Sequence, residues 1–342
     1  MVRHSTGAVL MVRADIPLAA RVFARLSDGK FHSGEELARS LGVSRSAVWK
    51  ASGTLREQGA ALHAVRNRGY RLATASEPLD AVRISERLPR EAREHVTKLE
   101  AVWSIASTNS ALLGRGNPPI GSSEVLLAEY QTAGRGRRGR AWLAPPGGGL
   151  CLSLSWTFRE APPDLGALGL VVGVCALRAL KELGVAGVSL KWPNDLLVGE
   201  KKLGGVLIDL RAESAGPASV VIGIGLNVAL GAALFTLIAA TGTPATDLKS
   251  AGLADVSRNE VAAQLVGACL RGLVAFERLG LKPFLDEWRE ADALRGKAVS
   301  VSAPDGTARG LARGIDLRGA LLVETRDGVK RFISGDVTLK AG

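Results

Sequence analysis

The stretch GRGRRGRAW, Gly134–Trp142, limits what this chain can fold into more than any other part of it. Its opening fits the spacing G-x-G-x-x-G, with which a dinucleotide-binding fold turns backbone tightly against a pyrophosphate. Such a loop must open a helix whose N-terminus receives the phosphate. Here APPGGGL follows, and Pro145, Pro146 and three glycines break the chain before CLSLSWTF resumes as a strand. A dinucleotide fold is therefore excluded. What remains is a loop of glycines, which let backbone N–H groups approach a ligand. Its Arg135, Arg137, Arg138 and Arg140 carry forked donors that suit phosphate or carboxylate. Like charges on entropically loose glycine backbone predict a loop that is poorly ordered when empty and folds around an anion. The competing reading is a merely solvated basic loop.

The charge of the whole chain agrees with an anionic partner. A formal +11 points towards nucleic acid, nucleotide or an acidic protein surface. Residues 1–76 hold 12 Lys/Arg against 5 Asp/Glu, a surplus of seven in under a quarter of the chain. A length of 342 residues suggests two or three domains, and 46% hydrophobic content is enough for real cores. Cys151, Cys175 and Cys269 lie far apart in apolar contexts, as buried reduced thiols do, so neither a disulfide framework nor a structural zinc site is expected. Four histidines leave metal catalysis little to work with, and no metal-ligating residue is assigned. The N-terminus lacks the sustained apolar run of a secretory signal. The charge-free run Ser214–Thr246 is long enough to span a membrane, but Gly223, Gly225 and Asn227 interrupt it and Gly242 and Pro244 end it. A buried strand, a glycine turn and a short apolar helix account for it better. The expectation is a cytoplasmic protein with no membrane partner.

Residues 17–75 read as a compact unit. PLAARVFARLSDG is an amphipathic helix stopped by Asp28-Gly29. Ser33 stands at an N-cap position with Glu36 as its capping-box partner, Leu37 and Leu41 share a face, and Gly42 supplies a sharp turn. Ser44 caps a second helix whose Val48 and Leu55 face inward, while Arg45, Ser46 and Lys50 face out near its start. That is helix-turn-helix geometry, with the early residues of the second helix placed to reach base edges. AALHAVRNRGYRL then alternates as a hairpin with a basic turn, Asn67-Arg68-Gly69, a wing whose Arg66 and Arg68 suit a phosphate backbone. A small helical domain with solvated charges is the plainer reading; the uneven charge and the basic wing tip favour DNA. Ser76-Glu77-Pro78 reads as the linker.

From about residue 81 short apolar runs alternate with helices. VLLAEYQTA looks like a central strand ending in Glu129, Tyr130 and Gln131. Residues 188–209, VSLKWPNDLLVGEKKLGGVLID, read as strand, Lys191-Trp192-Pro193-Asn194-Asp195, strand, basic turn, then strand again. A lysine at a strand end beside Asn and Asp suits an anionic leaving group and a nucleotide's polar atoms, although Pro-Asn-Asp alone is also turn chemistry. VVIGIGLNV adds a strand ending in glycines and Asn227.

With these motifs together, the chain resembles the biotin protein ligases, specifically the bifunctional kind that double as biotin operon repressors. The likeness is carried by GRGRRGR (Gly134–Arg140), KWPND (Lys191–Asp195), KLGGVLID (Lys202–Asp209) and GIGLN (Gly223–Asn227), in that order, with Ser107-Thr108-Asn109 ahead of them, and it covers about residues 17–342. The C-terminal run RGKAVSV…RGIDLRGALLVET…FISGDVTLK is similar to the family's small β-barrel. The resemblance implies an α+β chain of three domains. These are a winged helix-turn-helix at 1–77, an α/β biotin/lipoate-ligase-like catalytic domain at 78–292 and an SH3-like β-barrel at 293–342. It implies that biotin and Mg-ATP form biotinyl-5′-adenylate, whose biotin passes to a lysine of the biotin carboxyl carrier protein of acetyl-CoA carboxylase. The first step joins two anions, so it needs positive charge and donors rather than a nucleophile.

By the same resemblance Lys191, bridging carboxylate and α-phosphate, and Arg137 are catalytic. Ser107, Thr108, Asn109, Gln131, Arg135, Gly136, Arg137 and Lys191 hold biotin. Gly134, Arg135, Arg137, Trp142, Lys191 and Asn227 hold ATP or the adenylate, with Trp142 stacked on adenine and Asn227 on the nucleotide or its Mg2+. The loop becomes an adenylate clamp that shields a hydrolysable anhydride. Biotin operator DNA and an adenylate-dependent homodimer are the implied repressor partners. Ser110 departs from the pattern, since many relatives carry an amide there. A biotin-sensing transcription factor without catalysis could dispense with Lys191 and Arg137, and against a lipoate ligase, which shares the general fold, GRGRRGR and KWPND favour biotin.

Overall fold

A computed structural model describes residues 16–211, 217–239, 244–253, 257–303 and 306–339. Gly242, expected to end the charge-free run, lies outside the described residues. The N-terminal unit is α1 (Leu18–Arg25), α2 (Gly34–Leu41), α3 (Arg45–Glu57) and a hairpin of β1 (Leu62–Val65) and β2 (Gly69–Leu72). Val22, Phe23, Leu26, Leu37, Val48 and Leu55 form its core. Ser33 Oγ accepts from Glu36 N at 3.0 Å and Ser44 Oγ from Ala47 N at 3.1 Å, so both caps form. Gly42 takes φ 68° in the turn. The capping box is only half made, because the Glu36 carboxylate meets His32 Nδ1 at 3.2 Å. His32 in turn exchanges backbone hydrogen bonds of 2.9 Å with Tyr70, which ties the wing to the turn before α2.

The catalytic region runs α4 (Ala81–Arg87), α5 (Arg90–Arg93), β3 (Val96–Ile105), α6 (Thr108–Leu113), β4 (Ser123–Gln131) and β5 (Gly149–Phe158). It continues with α7 (Leu168–Glu182), β6 (Val188–Lys191), β7 (Asp195–Val198), β8 (Lys201–Arg211), β9 (Ala218–Asn227), α8 (Ala232–Ala239), α9 (Arg258–Leu279) and α10 (Leu285–Glu290). The sheet order is β3-β4-β5-β9-β8-β7-β6, with β3 and β4 parallel and every other pair antiparallel. All ten residues of β5 are buried, the hydroxyl side chains of Ser153, Ser155 and Thr157 included. The main core lies between the sheet and α7 and α9, while Leu112, Leu126 and Val221 form a small second core under α6. The three cysteines are free and buried. Among the described residues no helix is long and apolar enough to cross a membrane, and the apolar run becomes β9 and α8.

The C-terminal strands are β10 (Ala298–Ala303), β11 (Gly306–Ile315), β12 (Leu321–Thr325), β13 (Gly328–Phe332) and β14 (Asp336–Leu339), ordered β13-β12-β11-β10-β14. The expected C-terminal β unit is present, with its barrel left open: among the described residues β13 and β14 remain separate edges of an antiparallel sheet. The apolar side of that sheet is taken up elsewhere. Val299, Val301, Ala312, Leu321 and Val323 join the core of the catalytic region, and four of the five β13 residues are exposed. Trp192 Nε1 donates to Gly319 O at 3.0 Å and pins the sheet to the KWPND turn.

The linker also differs from a loose tether. Arg258, at the start of α9, donates to Glu77 O at 2.6 Å and to both carboxylate oxygens of Glu129 at 2.8 and 3.0 Å. Glu129 also accepts from Leu79 N at 2.6 Å, and Asn259 binds Pro78 O and Asp80 N at 3.0 and 2.8 Å. Arg258 and Glu129 are almost wholly buried, so this ion pair fastens the connection to the end of β4. Phe23 of α1 lies 5.5 Å from Trp103 of β3, ring to ring, and Ser76 Oγ donates to Gly147 O at 3.1 Å.

Candidate active site

The ends of β4, β6, β8 and β9 surround a cavity of about 690 Å³, closed at one side by β14. Ser107, Thr108, Asn109, Gln131, Arg135, Gly136, Arg137, Trp142, Lys191 and Asn227 all line it, so the sequence-derived set converges on one place. Gly134 lies just behind the wall, where its carbonyl accepts from Trp142 N at 2.9 Å.

At the α6 end the polar groups hold one another. Ser107 Oγ caps α6 by accepting from Ser110 N at 3.4 Å. Gln131 Oε1 accepts from Thr108 N at 2.7 Å and lies 3.1 Å from Thr108 Oγ1. Asn109 donates to Asp209 at 2.9 Å, and Ser153 Oγ sits 2.7 Å from Thr108 Oγ1 and 2.5 Å from Asn109 Oδ1. Two glycines make room for these groups: a Cβ on Gly223 would stand 2.3 Å from Asn109 Oδ1, and one on Gly225 would stand 2.3 Å from the Trp142 indole. Gly223-Ile224-Gly225 thus meets a demand for space under two cavity-lining side chains.

The arginine loop is a narrow hairpin, with Gly136 N donating to Arg140 O at 2.7 Å. Its charges are met by carboxylates, contrary to the repulsion expected of an isolated basic loop. Arg135 pairs with Asp209 at 3.3 Å and donates to Ser110 Oγ at 3.2 Å. Arg138 pairs with Asp336 at 3.2 Å, Arg140 binds the same carboxylate, and Arg137 donates to Gly335 O at 3.2 Å. Burial lowers the Arg137 pKa from its ordinary value, with Asp336 opposing.

Lys191 is half-buried at the end of β6, and burial depresses its pKa while nearby Asp195 opposes the shift. Asp195 itself is engaged by Lys202 at 2.6 Å. Among the described residues no hydrogen bond or ion pair claims Lys191 Nζ. Asn227 lines the cavity with its amide N–H groups taken up by Thr246 O at 2.9 Å and Lys202 O at 3.3 Å; among the described residues no hydrogen bond claims Oδ1. Cys151 also lines the cavity, but burial pushes its thiol up to about 12, so it is no nucleophile.

Sequence reasoning missed Ser153, Asp209 and Asp336. A charged residue in the apolar VLIDL of β8 is a visible signal for Asp209; nothing local marks the other two.

On the N-terminal unit Arg45, Ser46 and Lys50 are exposed on α3, and Arg66 is exposed on the wing. Arg68 lies over the Phe31 ring at 4.2 Å, and Ser44 Oγ serves as the α3 cap.

The profile of the Biotin/lipoate A/B protein ligase family matches residues 103–227. An HTH domain profile matches residues 20–71, and that of the Biotin protein ligase C terminal domain matches 295–340. The bifunctional ligase/repressor BirA of Salmonella typhimurium is 36% identical over 96% of this chain and 99% of the relative. BirA of Bacillus subtilis is 31% identical over 91% of this chain and 94% of the relative. The structure of the biotin protein ligase from Aquifex aeolicus in complex with biotin and ATP superposes with a TM-score of 0.59 at 29% identity, covering 71% of this chain and 99% of that one. The chain belongs to the family of bifunctional biotin protein ligase/repressors.

Proposed function

We propose that this chain activates biotin with Mg-ATP as biotinyl-5′-adenylate, releasing pyrophosphate, and passes the biotinyl group to one lysine of the biotin carboxyl carrier protein of acetyl-CoA carboxylase. The observation that carries this reading is Lys191: a half-buried cation on the cavity wall whose Nζ has no hydrogen bond or ion pair among the described residues. Burial makes the lone charge unfavourable, and an arriving carboxylate and α-phosphate are the counter-charges that relieve it. Arg137 adds a second cation. Thr108, Asn109 and Gln131, supported by Ser107 and Ser153, are ordered donors and acceptors for a cyclic urea. The backbone of Arg135–Arg137 wraps the adenylate, Trp142 stacks on adenine, and Asn227 turns Oδ1 to the nucleotide or its Mg2+. Mg2+ would be held by the nucleotide's phosphates, whose charge it would offset. The carrier lysine's amine attacks the mixed anhydride, AMP leaves, and the amine's proton passes to solvent.

The N-terminal unit binds biotin operator DNA, α3 in the major groove and the wing on the backbone. The repressing species is a homodimer favoured by the adenylate, which requires the adenylate to bind dimer more tightly than monomer. Carrier protein competes for the same surface, in the cytoplasm where both are made. Incubating the pure chain with carrier, biotin and Mg-ATP tests the ligase reading: biotin on the carrier lysine is expected, and transfer of lipoate instead, or of nothing, overturns it.

A further inference from the structure

α3 buries Val48, Ala51, Ser52 and Leu55 against its own module. Its opposite side carries Arg45, Ser46 and Lys50, and between them stands Trp49, 68% exposed. Among the described residues no aromatic ring or cation packs on the indole. One turn further on is Gly53, where an added Cβ would meet nothing within 4 Å, so the helix face below the indole is open. A solvated helix face has no use for the largest apolar side chain there is, and leaving it in water forgoes the free energy of burying it.

We infer that Trp49 reads the 5-methyl group of a thymine in the major groove and is a specificity-determining residue of the DNA-binding unit; the inference rests on the DNA-binding reading above. Duplex DNA is the occupant that fits, because the indole is set among Arg45, Ser46 and Lys50 on the most basic part of the chain. The groove wall is polar except for the thymine methyl, the one apolar group a base edge presents there. Arg45 and Lys50 can bind phosphate or guanine, but neither distinguishes thymine. Position also suits the role: Trp49 is the fifth residue of α3, in the half of the helix that faces bases in this geometry.

The test uses the full chain with biotin and Mg-ATP, and duplexes it enriches from a random pool. Replacing thymines one at a time by deoxyuridine removes only the methyl. The wild-type chain is expected to lose about fourfold in affinity at one thymine per half-site, the worth of one buried methyl group. Trp49→Ala should bind weakly and ignore that replacement, with an unchanged salt slope because no charge is lost. Trp49→Phe should keep the methyl sensitivity, and both variants should biotinylate carrier at the wild-type rate. Trp49→Ala with wild-type methyl sensitivity overturns the inference, as does an equal loss on every duplex. A changed oligomeric state with methyl sensitivity intact also overturns it, by giving the indole to a second copy. If the wild-type chain enriches no sequence, the DNA-binding reading fails first, and this inference with it.

Discussion

Lys191 holds a charge that its surroundings resist, and the sign of that conflict can be measured. Burial lowers its pKa below the value it has in the unfolded chain, against the pull of Asp195. Protonation at neutral pH therefore favours the unfolded state, and the penalty fades as pH rises through the lowered pKa. Lys191→Met should accordingly melt higher than the wild-type chain at neutral pH, with the difference shrinking at strongly alkaline pH. Melts that show the variant less stable at neutral pH would contradict this. Arg137 is also partly buried, but it bonds to Gly335 O across the cavity mouth. Arg137→Gly should loosen that closure, so that adenylate escapes and labels bystander proteins; streptavidin blots of mixed proteins would show it. A variant that stays strictly specific for carrier would remove Arg137 from containment. Lys191 and Arg137 were legible in the sequence because each sits inside a short motif. Asn227 was legible only as a position: its amide turned out to hold Thr246 and Lys202, long-range partners that no local spacing encodes.

At the scale of elements, the helix-turn-helix, the wing and the strands around KWPND followed from caps, turns and alternation. The sheet order did not, nor did the pairs that join distant segments. Asp336 meets the arginine loop from about 200 residues away, and Arg258 meets Glu129 across 129. Such pairs leave no periodic trace. That the C-terminal sheet stays open was not legible either, since the strand pattern cannot tell whether an apolar face closes on itself or packs on a neighbour. Two predictions belong here. Asp336→Asn should speed amide exchange at Arg137–Arg140 in the free protein, and biotin plus ATP should slow it again; exchange indifferent to both would contradict the clamp. Arg258→Met should cost about 3–5 kcal/mol, because it strands the buried Glu129 carboxylate. Adding Glu129→Gln should recover much of that loss, and equal instability of single and double variants in urea melts would contradict the ion-pair account.

For the whole molecule, the proposed function asks one cavity to serve two outputs. The docked linker and the Phe23–Trp103 contact mean that the DNA-binding unit is seated on β3 and on the end of β4, the strand that carries Gln131. Sedimentation at micromolar concentration should show dimer with biotinyl-5′-adenylate and monomer without it; a chain monomeric in both would be a ligase whose DNA-binding unit is not governed by this ligand. All of this depends on the cavity forming the adenylate at all. The most direct measurement is biotin-dependent exchange of labelled pyrophosphate into ATP, for the wild-type chain and Lys191→Ala side by side. The wild-type chain should exchange only when biotin is present, and Lys191→Ala should fall by roughly 10²–10³-fold, the loss expected when one preorganised electrostatic stabiliser is removed. No biotin-dependent exchange by the wild-type chain, or undiminished exchange by Lys191→Ala, would contradict the account.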